Sequence, residues 1–204
     1  MTPGELIRKY WVAPAGGVVL ESEVAVRFES VDTDALFLDI PASDPDLSAG
    51  CTQAPKLADL LVLARKRALR KDGRITEPAG PWQLLVVELK RGAQHEVDAN
   101  KAAEQIGNLA ALAITSEDWP ARPALAGVVV YLRKGSAPSD FSAIKQAFSK
   151  RFGFKLQIAP MDERPVDLGL QLAHVRDGDH ELLAAHRESL VGAGRRGQRI
   201  RGQT

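Results

Sequence analysis

The hydrophobic pattern is organised around Trp82-Gln83-Leu84-Leu85-Val86-Val87-Glu88-Leu89-Lys90. An apolar run rich in Val and Leu, with Pro78, Gly80 and Pro81 before it and Gly92 after it, predicts a buried strand. Residues 125–132 have the same character. Residues 57–64 do too, except for one acid, Asp59, inside the run. An aspartate there is unfavourable in a strand and costly to bury. It implies a hydrogen-bonded structural acid, a helical segment running on into Arg65-Lys66-Arg67, or chemistry.

Around these runs the pattern predicts further elements. Residues 5–11 form a short helix with Leu6, Tyr10 and Trp11 inward, ended by Pro14 and Gly16-Gly17. Residues 18–28 and 35–40 read as strands linked through Asp32-Thr33-Asp34. A polar loop rich in Pro and Asp runs from Pro41 to Pro55, long enough to suggest a functional role. Lys71-Asp72-Gly73-Arg74 supplies a turn. An Ala- and Leu-rich helix covers 97–114, and an amphipathic one 140–151, with Phe141, Ile144, Ala147 and Phe148 in its apolar stripe. A short strand at 155–159, a strand or helix at 168–175 and a helix at 181–190 follow, with Asp179 as an N-cap. The expected class is α/β, a central mixed sheet flanked by helices, in one domain over 1–190. Residues 191–204 read as a flexible Gly- and Arg-rich tail.

Composition adds limits. A chain of 204 residues, 45% hydrophobic and 26% charged, suits a soluble globular protein. No apolar run approaches the roughly 20 residues that cross a bilayer, and the first residues lack a signal-peptide layout, so a cytoplasmic protein is expected. A single cysteine, Cys51, cannot form an internal disulfide, and no Cys or His spacing suits zinc. Five arginines and one acid give residues 187–204 a net +4, leaving −3 for the rest of a chain whose total is +1. A polyanionic partner would therefore need a local basic patch or the tail.

The candidate chemistry centres on the strand that ends in Glu88 and Lys90. Side chains alternate along a strand, so these two share a face about 7 Å apart. The order helix, strands, a segment with Asp59, a strand ending Glu88-Leu89-Lys90, a helix with Gln105 and a further strand resembles the core of the PD-(D/E)xK nuclease superfamily. That family places an acid on one strand and (D/E)-x-K on the next. Lys56-Leu57-Ala58-Asp59-Leu60-Leu61-Val62 resembles the segment around the family's first acid, with Ala58 where proline often stands. Val87-Glu88-Leu89-Lys90 and then Lys101-Ala102-Ala103-Glu104-Gln105-Ile106 resemble its second motif and following helix.

The resemblance implies a restriction-endonuclease-like αβββαβ core and a nuclease hydrolysing phosphodiester bonds, DNA in the first instance. Asp59, Glu88 and the Leu89 carbonyl would hold Mg²⁺ or Mn²⁺, hard cations that want oxygen ligands. Lys90 would position or deprotonate the attacking water and neutralise developing charge. Gln105 would orient Lys90, the water or a phosphate. The family often adds an acid from the first helix; Glu5, Glu21 and Glu23 are the choices. The size implies a homodimer or a partner-dependent effector complex. The alternative from another class is a catalytically inactive nuclease-like module that binds nucleic acid or a protein partner.

Other signals carry less. Gly192-Ala193-Gly194-Arg195-Arg196-Gly197 matches GxGxxG but lacks the following helix and distant acid of a dinucleotide site. Asp177-Gly178-Asp179-His180-Glu181 fits no calcium loop. Cys51 has no catalytic context. The basic run Arg65-Lys66-Arg67 through Arg70-Lys71 reads either as a solvated hairpin or as a phosphate-gripping rim beside the metal site.

Overall fold

A computed structural model describes residues 1–14, 17–21, 23–69, 75–78, 80–91, 96–114, 119, 121–132 and 141–192. The turn at 71–74 and the tail beyond 192 lie outside the described residues. In chain order the elements are α1 (Pro3–Tyr10), β1 (Trp11–Val12), β2 (Val18–Glu21), β3 (Val24–Arg27), β4 (Thr33–Asp39), β5 (Leu60–Leu69), β6 (Ile75–Pro78), β7 (Gln83–Lys90) and α2 (Glu96–Ile114). They continue with β8 (Ala124–Leu132), α3 (Ser142–Phe152), β9 (Lys155–Met161), β10 (Val166–Asp167), α4 (Leu168–Gln171), β11 (Arg176–Asp177) and α5 (His180–Val191).

The chain is an α/β protein with a mixed sheet in the order β1-β4-β5-β7-β8-β11; β9 also pairs with β8, and β6 with β5. β5 runs antiparallel to both of its neighbours, β4 and β7, while β7, β8 and β9 run parallel. A parallel neighbour requires a crossover, and the 19-residue α2 supplies it between β7 and β8.

Both faces of this sheet are covered, which explains why β7 reads as a continuous apolar run. Leu84 and Val86 pack into one core with Leu61, Leu63 and Leu125 of the sheet and with residues of α1, α2, α3 and α5. Leu85, Val87 and Leu89 face a second core with Val62, Val128 and Val130. That side is closed by Val24, Val26 and Leu168 from α4 and the small sheet β10-β3-β2. No helix among the described residues is long and apolar enough to cross a membrane.

Several local expectations change. β5 begins at Leu60, so Asp59 stands just before the strand, its carbonyl still accepting the Ile40 N–H at 2.8 Å. The basic residues Arg65, Lys66 and Arg67 belong to the strand itself. The stretch 18–28 is two strands turning at Glu23, whose φ of 72° is left-handed. Thr33 and Asp34 lie inside β4 and make no turn. Residues 168–174 are a short α-helix and a 3₁₀ turn. Trp11 is 56% exposed on β1, because the helix ends at Tyr10 and alternation turns the next side chain outward.

Candidate active site

Register brings the acids together. Leu60 pairs with Asp39 on one side and Val87 on the other, so the ends of β4, β5 and β7 that carry Asp39, Asp59 and Glu88 coincide. Glu88 follows Leu84 and Val86 by alternation and shares the face covered by α2.

Asp59 and Glu88 are tied through the main chain of Asp59 and Leu89. The Asp59 N–H donates to Glu88 Oε2 at 3.2 Å, and the Leu89 N–H donates to Asp59 Oδ2 at 2.7 Å. Glu88 has no exposed surface. Its Oε1 receives no hydrogen bond of regular geometry and meets the Lys90 ammonium in an ion pair. Lys90 is half-exposed, so the pair runs from the interior towards solvent.

Electrostatics follow from burial. Glu88 is pushed up to about 8, first by loss of solvent and then by the neighbouring Asp59; Lys90 and the Asp59 N–H offset only part of this. Asp59 is raised too, again chiefly by burial, against the lowering effect of the Leu89 N–H and Lys90. Two carboxylates that both resist ionisation form a site that favours a cation or a proton.

The other predicted residues fall as follows. Gln105 lines a cleft of about 610 Å³ together with Lys90, Lys56, Lys101 and Asn108, but its amide donates to the Leu57 carbonyl at 3.1 Å. Neither Asp59 nor Glu88 lines this cleft, and neither lines a larger concavity of about 720 Å³ beside β9 and α4. Glu5 is engaged in the N-terminal cap of α1, its Oε2 accepting the Thr2 N–H at 2.8 Å. Glu23 pairs with Arg91 at 3.0 Å. Glu21, at the end of β2, lies within electrostatic reach of Asp59 and Asp39; burial first, and then these two acids, raise its pKa. Asp39 has no sequence signal beyond ending an apolar strand, and only the register reveals its place. Among the described residues no three His, Cys, Asp or Glu side chains converge closely enough to hold a metal.

The described part of the basic run, Arg65 to Arg67, is not beside this site; Arg70 and Lys71 lie outside the described residues. Arg65 and Arg67 lie six and eight residues along from Asp59, at the far end of β5, roughly 20–26 Å away. Arg65 stacks over Trp82 at 4.7 Å and donates to the Gly80 carbonyl, and Arg67 holds Asp34 Oδ1 at 2.8 Å through Nε.

Comparison with models of known protein families gives no match, and none of the curated proteins matches the chain. The site's own residues and the order of the elements carry the functional reading.

Proposed function

We propose that the chain is a metal-dependent nuclease acting on phosphodiester bonds, DNA in the first instance, through Asp59, Glu88 and Lys90. The observation that carries this is the fully buried Glu88, ion-paired to Lys90 and laced to Asp59, at one end of a mixed sheet. Burying a carboxylate and setting a second beside it costs several kcal/mol without a compensating cation. With β1, β2, β3 and β6 set aside as additions, the order α1, β4, β5, β7, α2, β8 supports the restriction-endonuclease-like αβββαβ reading.

The donor set suits a hard cation that keeps most of its waters, since Mg²⁺ commonly takes only one or two protein carboxylates. Asp59 would hold it through Oδ1 and Glu88 through Oε1, the oxygen that Lys90 meets in the metal-free protein. The Leu89 N–H faces Asp59, and in a strand a residue's N–H and C=O face the same neighbour, so the Leu89 carbonyl is available on that side. Bound there, Mg²⁺ or Mn²⁺ would acidify the attacking water and draw off charge from the phosphodiester. Lys90 reaches outward from Glu88 to hold that water and neutralise charge building on the phosphate. Lys56, exposed on the same cleft, is placed to meet a flanking phosphate. Gln105 acts on the backbone at Leu57.

One observation favours the second reading, an inactive nuclease-like module: Asp59 and Glu88 have no third acidic, His or Cys side chain converging with them among the described residues. Cleavage decides between them. Plasmid, single-stranded DNA and RNA are incubated with Mg²⁺ or Mn²⁺, with chelated controls. Metal-dependent cutting of any substrate supports the nuclease; binding without cutting supports the module.

A further inference from the structure

The backbone that delivers Asp59, residues 56–58, belongs to no strand, so its carbonyls lack ladder partners. Buried carbonyls must find donors elsewhere. Two amides one turn apart on α2 provide them: Gln105 Nε2 donates to the Leu57 carbonyl and Asn108 Nδ2 to the Lys56 carbonyl, both at 3.1 Å. Asn108 is itself buried, and its Oδ1 lies 2.9 Å from His186 Nε2 on α5. Because the Asn108 amide nitrogen faces a carbonyl, Oδ1 is the acceptor and His186 carries its hydrogen on Nε2. That donor persists whether the ring is neutral or protonated.

Packing holds the histidine in place. Phe152 of α3 meets the His186 ring edge to face, with centroids 4.8 Å apart. The same Phe152 ring lies against Gly107, where an added Cβ would fall 2.3 Å from ring atoms. The missing side chain at 107 lets α3 close on α2, and this brings Asn108 and α5 within hydrogen-bond reach.

We propose that Asn108, held by His186, and its neighbour Gln105 are positioning residues. They fix the Lys56–Leu57 backbone and thereby the angle at which the Asp59 carboxylate meets Glu88 and the Leu89 N–H. The consequence for reaction rate rests on the nuclease reading; the positional claim does not.

The test uses His186→Phe, which keeps a packed ring and removes the donor, His186→Gln, which keeps a donor, and Asn108→Leu. Amide hydrogen exchange is read at Asp59 and Leu89 in the metal-free protein. His186→Phe and Asn108→Leu are expected to speed exchange at both amides at least about tenfold while β8 amides stay protected; His186→Gln stays near wild type. On a cleaved DNA substrate with Mg²⁺, kcat falls with KM unchanged in the first two variants and recovers in His186→Gln. If Asn108→Leu does not fold, Gln105→Leu carries the same expectation through Leu57. Wild-type protection of Asp59 and Leu89 in the folded variants overturns the proposal. A wild type that cuts nothing overturns only the nuclease reading, since exchange still decides the positional claim.

Discussion

A carboxylate with no exposed surface, set beside a second carboxylate, resists ionisation, and for Glu88 this has a measurable consequence. Its folded value of about 8 lies above the ordinary 4.5, so between those limits the native state keeps a proton that the unfolded chain releases. Stability therefore falls as pH rises through that window, by up to about 1.4 kcal/mol per pH unit. Glu88→Gln cannot ionise. Without divalent cation its melting temperature should exceed wild type at pH 8–9 and approach it near pH 5; parallel profiles would refute the electrostatic account. His186 acts at the other end of the scale. Burial, and then Arg151, lower its pKa, so its contribution is present above the ordinary histidine range and lost as pH falls through it.

Elements were largely legible because two covered faces and a 3.6-residue stripe leave strong patterns. Val86 and Val87 in a continuous run, and Ala102 and Ile106 on a helix, could hardly belong elsewhere. The ends were harder. Asp59 sits inside an apolar string, and only pairing with β4 and β7 shows that the strand starts one residue later. Leu20 and Val24 share a run that a left-handed Glu23 splits into a hairpin. Gly107 carries no signal of its close contact. Gly107→Ala should destabilise the protein by about 1–3 kcal/mol in denaturant unfolding, since Phe152 must shift to admit a methyl group. Asp179, recognised as a cap, accepts N–H bonds from Glu181 and Leu182 at 3.0 and 3.2 Å. Asp179→Ala should cost about 1 kcal/mol in the same measurement.

At the scale of the whole molecule, the sheet gathers what lies far apart in the chain. Glu88 and Lys90 could be named from local text because they end a recognisable run, and Asp59 because it is the one acid inside another. Asp39 could not, because only strand register brings it near, and Glu21 stood level with Glu5 and Glu23 until the placement of a second sheet set it within reach of Asp59 and Asp39. The distance from Arg65–Arg67 to the acids, likewise, depends on which end of β5 they occupy. If Asp59 and Glu88 hold a divalent cation, Mg²⁺ at about 100 times its Kd should add about 2.7 kcal/mol to stability, roughly 5–10 °C in Tm for a chain of this size. Asp59→Ala should abolish that rise.

The central claim is that Asp59 and Lys90 do chemistry on a phosphodiester. Its most direct test is the rate of DNA cleavage in Mg²⁺ or Mn²⁺ by wild type, Asp59→Ala and Lys90→Ala, each shown to be folded. The account predicts metal-dependent cutting by wild type, loss to background in Asp59→Ala, and a fall of about 10²–10³ in Lys90→Ala. Equal cutting by all three proteins would contradict it.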